Sequence, residues 1–569
     1  MRLLTSIPHA VRSLAALAAA GLPVALMLLG TVASAAAPEP VARVIVKFKA
    51  GADSTLASAT AAEQLSARVQ GVVHRLGVPT RAGIGIADRT QLLTATGLSS
   101  LQLAARLAQD SAVEYAVPDE LRHRAAAPND PRYASGLGAP GPAVGQWYLR
   151  APAGAVKSSV DIEGAWSTVT AASGTVVVAV LDTGIRYDHP DLKRVADGGN
   201  LLEGYDFVTN SFIDNDATPG RDGDPSDPGD WVSAADVASV ANTVGCRTSD
   251  IEDSSWHGTE TAGLIGALTN NALGMAGLTG PNRVLRILPV RVLGKCGGFD
   301  SDIIAAMRWA AGLSVPGVPA NPTPARVINL SLGGTGACSA AYQDAVREIN
   351  QAGVVVVAAA GNTSGHAVNT PANCAGVIGV GGLRHTGSKV GFSDLGPEIA
   401  ISAPGGNCVN LTGDCLYPLL TTSNAGVTTP VPSSEVYTDA SNPTIGTSFS
   451  APLVAGTAGL MLVAQPGLKP DDVRSLLRRS SRPFPTSGDV PGVPVCEAPK
   501  TDGAGVPIDQ LECYCTTSTC GAGMLDASAA VALAKADDGK GGGGGALGFG
   551  WLLALGAAIR AVAVTRAKA

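Results

Sequence analysis

Four residues of the types that cooperate in acyl-transfer chemistry lie in short motifs rich in small residues: Asp182, His257, Asn362 and Ser448. A serine hydroxyl is a weak nucleophile until a base takes its proton, and a common base is an imidazole oriented by a carboxylate. An amide N–H can stabilise the oxyanion that forms when a carbonyl is attacked. These residue types indicate hydrolysis of a carbonyl substrate, provided that the fold brings them together.

Ser448 lies in the stretch 446–452, directly before the apolar run 453–463. Because proline is tolerated in a helix only near its first turn, Pro452 predicts a helix that begins close to Ser448. There the hydroxyl would lie among unpaired N–H groups at the positive end of the helix dipole, which suits a nucleophile whose reaction generates negative charge. A plain N-cap serine is the alternative role at such a position.

The stretch 128–535 alternates helical patterns with continuous apolar runs, which are residues 176–181, 284–290, 327–330, 354–358 and 376–380. Strands that are apolar throughout are buried on both faces, so the pattern predicts an α/β domain with a mostly parallel sheet flanked by helices. Asp182 and Asn362 follow two of these runs, and His257 opens the apolar helical stretch 261–267. Sites in such sheets lie beyond the carboxyl ends of the strands, where these residues would meet.

A smaller unit precedes this domain, at residues 41–124. We predict strands at 41–48 and 113–117 and helices at 57–76 and 98–109, which together make a small α+β domain. The segment 122–128 shows no periodic pattern and is predicted to be an exposed linker of the kind that proteases cut.

The motifs at 180–185, 257–259, 359–362 and 446–452 resemble those of the subtilisin-like serine proteases, in the same Asp, His, Asn, Ser order. The resemblance implies a serine endopeptidase that acts on proteins or peptides. It assigns the nucleophile to Ser448, the base to His257, the orienting carboxylate to Asp182 and the oxyanion donor to Asn362. It also assigns binding of the substrate backbone to a stretch with two glycines, formed by Ser331, Leu332, Gly333 and Gly334.

The resemblance further implies that residues 41–124 are an inhibitor-type propeptide, removed by a self-cleavage between Arg124 and Asn129. An ordinary N-terminal domain is the alternative. It also implies bound calcium, a cation that prefers oxygen ligands. The implied ligands are the side chains of Asp130, Asp191 and Asn271 and the carbonyls of Thr269, Leu273 and Met275. The acidic stretch 222–230 is equally compatible with a second ion and with a solvated loop.

Export signals are predicted at both ends of the chain. Residues 1–35 fit a secretory signal peptide, with a membrane-spanning helix as the alternative. The ten cysteines all lie outside this leader, and their even number favours disulfides. The sequence does not fix their pairing: Cys408 with Cys415 would close a small loop, and the cysteines at 496–520 form a second local cluster.

A glycine-rich linker, 536–545, precedes an apolar and then basic tail, 546–569. The tail resembles bacterial carboxy-terminal sorting tails, which contact the membrane before a protease removes them. A plain membrane anchor is the alternative.

The net charge of −7, without a basic stripe, gives nucleic-acid binding little support. A catalytically dead peptide-binding relative and a surface adhesion module are rival functions. An α/β-hydrolase esterase would need Gly-x-Ser-x-Gly, whereas the stretch around Ser393 lacks the final glycine. Of the other histidines, His189 is predicted to be structural, and His366 and His385 are predicted to be solvated.

Overall fold

The computed structural model describes residues 41–49, 61–77, 79–87, 89–119, 127–134, 145–239, 244–406, 416–438, 445–487 and 492–537. The chain divides into two compact units, residues 1–123 and 124–569. The predicted signal peptide, the Arg122–Arg124 segment, the Cys408–Cys415 pair and the tail after 537 lie outside the described residues, so these predictions remain predictions.

The first unit is a four-stranded antiparallel sheet with two helices. Its elements in chain order are β1 (Ala42–Phe48), α1 (Ala61–Leu76), β2 (Thr80–Ala87), β3 (Thr90–Ala95), α2 (Ser100–Leu107) and β4 (Val113–Pro118). The strand order is β2-β3-β1-β4. Alternate residues of β1, from Ala42 to Phe48, are buried in the core with α2, as the period of a half-buried strand requires.

The prediction of only two strands in this unit was wrong, because β2 and β3 were missed. β2 carries two glycines and two alanines, and seven of its eight residues are exposed at the edge of the sheet. A strand that buries so little shows no alternation of apolar and polar residues from which it could be recognised.

The second unit is built on a seven-stranded sheet. Its strands are β5 (Val176–Asp182), β6 (Tyr205–Asp206), β7 (Leu285–Arg291), β8 (Val327–Leu330), β9 (Val355–Ala359), β10 (Val377–Leu383) and β11 (Ile399–Pro404), and a separate hairpin pairs β12 (Thr422–Ser423) with β13 (Val436–Tyr437). The order β11-β10-β9-β8-β5-β7-β6 is parallel throughout. The predicted parallel α/β fold is therefore confirmed.

Helices lie on both faces of this sheet and pack into two buried clusters of apolar residues. They are α3 (Pro131–Ala134), α4 (Ile162–Thr168), α5 (Ser211–Asp214), α6 (Ala234–Ala238), α7 (His257–Gly266), α8 (Asp300–Ala310), α9 (Ala340–Gln351), α10 (Thr447–Ala464), α11 (Pro470–Ser480) and α12 (Ala527–Ala536).

The predicted nucleophile helix is α10, which begins one residue before Ser448 and contains Pro452 near its start. Among the described residues it alone has the length and apolar composition to cross a membrane, but 89% of its apolar window is buried inside this domain. It is therefore the central core helix, and it carries Ser448 at its amino end.

The predicted use of cysteines as disulfides is confirmed in the described residues. Four disulfides are present: Cys246–Cys296, Cys338–Cys374, Cys496–Cys513 and Cys515–Cys520. The last two form the predicted local cluster at 496–520.

Candidate active site

Asp182 and His257 form a hydrogen-bonded pair at the carboxyl edge of the sheet. Asp182 is the last residue of β5, and His257 is the first of α7. The Nδ1 of His257 lies 2.7 Å from Oδ1 of Asp182. The buried carboxylate also accepts from the Thr183 backbone N–H at 2.8 Å and from the Thr261 hydroxyl at 3.2 Å. These contacts orient the carboxylate toward the imidazole and favour the tautomer with its proton on Nδ1.

The electrostatic surroundings of His257 favour its charged form. Burial lowers the pKa of His257, but the Asp182 carboxylate, and then Glu260 and Asp230, outweigh it and raise the pKa to about 9. Glu260 lies one turn further along α7 and is buried, and it accepts a hydrogen bond from the Ser423 hydroxyl at 3.1 Å. Burial raises the pKa of Glu260 to about 8. Glu260 was not predicted from the sequence, although its place three residues after His257 on one helix was a usable signal.

Ser448 lies in the same cleft as His257. Its hydroxyl donates to the Ser331 carbonyl at 3.1 Å, and the Ser331 hydroxyl donates to the Ser448 carbonyl at 2.6 Å. These two reciprocal hydrogen bonds connect the end of β8 to the start of α10. The Ser448 hydroxyl is therefore directed at a backbone acceptor rather than at the imidazole.

Asn362 follows β9 and lines the same cleft. Its side-chain oxygen accepts from the Thr447 backbone N–H at 3.0 Å and from the Thr447 hydroxyl at 2.9 Å. The amide nitrogen is thereby left as the end that can donate to a ligand beside Ser448. The preceding Gly361 has φ 118°, and a Cβ there would lie 2.3 Å from Asp394, so this close turn requires glycine.

The cleft has a volume of about 730 Å³, and Ser331, Leu332, Gly333 and Gly334 line one side of it. Gly334 exchanges two backbone hydrogen bonds with Thr370 at 2.9 Å each, which fixes this side. A smaller pocket of about 230 Å³ adjoins it and also reaches Asn362 and Ser448. An extended peptide and one of its side chains would fit this arrangement.

The acidic stretch 222–230 contributes two buried carboxylates to the site. Asp227 accepts from the Thr183 hydroxyl at 2.7 Å, and Asp230 accepts from the Ser255 backbone N–H and hydroxyl at 2.7 and 2.6 Å. The alternative of a solvated loop therefore does not hold for these two residues, although Asp224 is exposed. Burial, and then Asp230, raises the pKa of Asp227 to about 7.

The residues expected to hold calcium are brought together. Asp130 and Asp191 are buried, and both bond the 269–275 loop: Asp130 accepts from the backbone N–H groups of Asn270 and Asn271, and Asp191 from that of Met275. Asn271 donates to Asp191 at 2.7 Å.

The carbonyls of Thr269, Leu273 and Met275 accept no hydrogen bond within the described part of the chain. Burial raises the pKa of Asp191 to about 7, and Asp130 adds to the rise. Two crowded carboxylates with unused carbonyls beside them are an oxygen-rich donor set that fits Ca²⁺.

A second acidic group, which was not predicted from the sequence, surrounds Arg291. Carboxylate oxygens of Asp206, Asp214 and Asp216 lie within 4.8 Å of one another. The buried Arg291 guanidinium donates to Asp206 and Asp214 at 2.5 Å each. A cation is thus already supplied by the chain, and this group is a buried ion-pair network.

The other histidines differ from one another in burial. His189 is buried, accepts from the Asp191 backbone N–H at Nδ1 and bonds the Val436 carbonyl, so it occupies the structural role predicted. His366 is partly exposed and bonds Asp509 at 2.8 Å. The prediction for His385 was wrong: it is buried, with its ring stacked 3.7 Å from that of Tyr417. That partner is distant in sequence, so local composition did not indicate it.

Known proteins resemble most of the chain. It is 38% identical over 385 residues to an extracellular protease of Xanthomonas campestris pv. campestris. This alignment covers 67% of this chain and 58% of that protein. It is 35% identical over 456 residues to an extracellular basic protease of Dichelobacter nodosus, covering 79% and 68%. The chain thus spans little more than half of the first relative and about two thirds of the second.

Among solved structures, a protease from Pseudoalteromonas arctica PAMC 21717 superposes with a TM-score of 0.56 at 39% identity, over 72% of this chain and all of that one. The model of the Subtilase family matches residues 173–510, which contain Asp182, His257, Asn362 and Ser448. The chain therefore belongs to the subtilase family of peptidases.

Proposed function

We propose that this chain is a secreted serine endopeptidase that hydrolyses peptide bonds through an acyl-enzyme. The observation that carries the proposal is the Asp182–His257 pair, which opens onto a cleft that also holds Ser448 and Asn362. Relatives named extracellular proteases support both the reaction and export.

In the proposed reaction, a peptide lies extended along residues 331–334. The Ser448 hydroxyl rotates away from the Ser331 carbonyl, gives its proton to Nε2 of His257 and attacks the scissile carbonyl. Asp182 keeps the Nδ1 proton in place and stabilises the imidazolium. The Asn362 amide and the Ser448 backbone N–H donate to the oxyanion. His257 then protonates the leaving amine, and water releases the acyl group by the reverse proton transfers.

The first unit acts, in this proposal, as an inhibitory propeptide. One face of its sheet packs on helices, whereas Tyr115 and Val117 of β4 are 41% and 43% exposed. Exposed apolar side chains on a sheet are suited to docking on another surface. Self-cleavage between Arg124 and Asn129 would then release the mature enzyme.

Calcium is proposed as a structural ligand. Subtilases commonly bind calcium. Asp130, Asp191 and Asn271, with the carbonyls of Thr269, Leu273 and Met275, would hold it. The ion would neutralise the crowded carboxylates and fix the loop that follows α7.

The precursor, refolded with calcium, tests the enzymatic proposal. A fluorophosphonate probe should label the wild type and the Ser450→Ala variant, because the Ser450 hydroxyl is buried and bonds the Pro404 carbonyl. It should not label Ser448→Ala. Sequencing the new amino terminus should place the cut between Arg124 and Asn129 in the wild type only. An unlabelled wild type that binds peptides without cutting them would instead support the catalytically dead relative.

A further inference from the structure

The wall of the cleft beside His257 is strongly acidic. Asp230, Asp250, Glu252 and Asp300 line it, and the described lining residues include no lysine or arginine. The whole chain has 40 basic and 47 acidic residues, so basic side chains are nearly as common as acidic ones. The one-sided charge is therefore a property of this cleft and not of the composition.

These carboxylates belong to a fixed surface. Val232 and Glu252 exchange backbone hydrogen bonds at 2.9 and 3.1 Å, which aligns the segment after Asp230 with the segment at Glu252. The Cys246–Cys296 disulfide ties this acidic segment to the part of the lining that contains Cys296. Charges that are already positioned lose little entropy when they bind a ligand.

Among the described lining residues, only His257 can carry a positive charge beside these carboxylates, and its imidazole is hydrogen-bonded to Asp182. Burial raises the pKa of Glu252, and the carboxylates of Asp230 and Asp250 raise it further. Asp230 is bonded by Ser255, and Asp300 accepts from the Tyr342 hydroxyl at 2.9 Å, so their partners are neutral donors. Asp250 likewise accepts from the Arg247 backbone N–H at 2.7 Å. A cationic ligand would relieve the repulsion among these groups.

We propose that the acidic wall selects peptides with arginine or lysine close to the scissile bond, on its acyl side. This inference rests on the proposed peptidase function and names the substrate class of the same cleft. The sequence itself supplies a matching segment, since Arg122 and Arg124 both precede the predicted self-cleavage site. Guanidinium and ammonium groups form charge-assisted hydrogen bonds with carboxylates, which fixes the position of the substrate as well as attracting it.

Reporter peptides that differ at one position test the proposal. An alanine peptide receives lysine, glutamine or glutamate at the second, third or fourth residue before the scissile bond. At one or more of these positions, kcat/KM for lysine should exceed that for glutamine by roughly threefold to fivefold, as expected for a partly exposed ion pair. The ratio should approach one at about 1 M salt, where the Debye length is about 3 Å.

Variants locate the effect on the wall. Glu252→Gln and Asp250→Asn should each lower the lysine-to-glutamine ratio. Asp253→Asn removes an exposed neighbouring carboxylate that does not line the cleft, so it should leave the ratio unchanged. A wild-type ratio below about threefold at all three positions, or a ratio that neither Glu252→Gln nor Asp250→Asn lowers, overturns the proposal.

The all-alanine peptide separates this inference from the proposed function. Hydrolysis that is lost in Ser448→Ala supports the peptidase, so hydrolysis without charge preference counts against the acidic wall alone. No hydrolysis of any peptide by the processed protein would count against the peptidase function.

Discussion

The Thr183 hydroxyl donates to the buried Asp227 carboxylate at 2.7 Å and accepts from the Gly258 backbone N–H at 3.0 Å. Thr183 follows Asp182, and Gly258 follows His257. The Asp227 carboxylate of the acidic loop thus supports, through Thr183, the backbone next to Asp182 and the backbone next to His257. The loop is part of the scaffold of the site.

Asp227→Ala should therefore reduce both stability and turnover. The change leaves the Thr183 hydroxyl and the Gly229 N–H without their buried acceptor, at a cost of about 1–3 kcal/mol for an unsatisfied group. Displacement of the pair should lower kcat by about 10- to 100-fold. Thermal unfolding in a Ser448→Ala background and peptide kinetics would measure the two effects. Asp224→Ala, in the exposed part of the same loop, is the control, and equal losses there would contradict this role.

Glu260→Gln should move the acidic limb of the kcat/KM profile to lower pH. Only a neutral imidazole accepts the serine proton, so the rate rises as pH passes the pKa of His257. The Glu260 carboxylate adds to the rise in the pKa of His257, and His257 in turn lowers the pKa of Glu260, so the charged forms of the two groups stabilise each other.

Loss of the Glu260 carboxylate should lower the pKa of His257 by a few tenths of a unit to about one unit. Profiles of the processed enzyme from about pH 5 to about pH 10 would show the shift. Glu398→Gln, an exposed control, should leave the profile in place. If the acidic limb of the kcat/KM profile of Glu260→Gln did not move, or moved to higher pH, this prediction would be wrong.

Asn362→Ala should lower kcat by about 100- to 1,000-fold with little change in KM, because an oxyanion donor acts in the transition state. Steady-state kinetics with a peptide reporter would measure both constants. Unfolding of the same variant in a Ser448→Ala background tests for a structural defect, since Asn362 also bonds Thr447. A loss of kcat below about tenfold would argue against the oxyanion role.

Calcium should raise the melting temperature of the Ser448→Ala protein, and a chelator should reverse the rise. At a calcium concentration one hundred times Kd, the stabilisation is about 2.7 kcal/mol. Asp191→Asn should abolish the increment. Asp224→Asn should keep it, and loss of the increment in that variant would place the ion in the acidic loop instead.

Much of the sheet was predictable from sequence because β5, β7, β8, β9 and β10 are buried on both faces. Burial of both faces selects apolar residues at every position, and that pattern is visible locally. β11 was missed because Ser402 and Pro404 interrupt a short run. β2 was missed because it buries almost nothing.

Asp182, His257, Asn362 and Ser448 could be proposed from the sequence because each lies at or near the end of a regular element, within a short motif that resembles those of the subtilases. The residues that support these four could not be recognised from the sequence, because they contact partners in distant parts of the chain. Glu260 meets Ser423 across 163 residues, and Thr183 meets Asp227 across 44. Such pairs depend on how separate segments of the chain pack against one another, which local periodicity does not encode.

The reciprocal bonds between Ser331 and Ser448 constrain any attempt to re-engineer this protein. A replacement at Ser331 removes the bond from its hydroxyl to the Ser448 carbonyl, so a change that admits a new peptide would also loosen the start of the helix that carries the proposed nucleophile. Altered preference and slower turnover would then arise from one substitution. Directed evolution should therefore vary Leu332, which lines the cleft without either bond, and keep its neighbour constant.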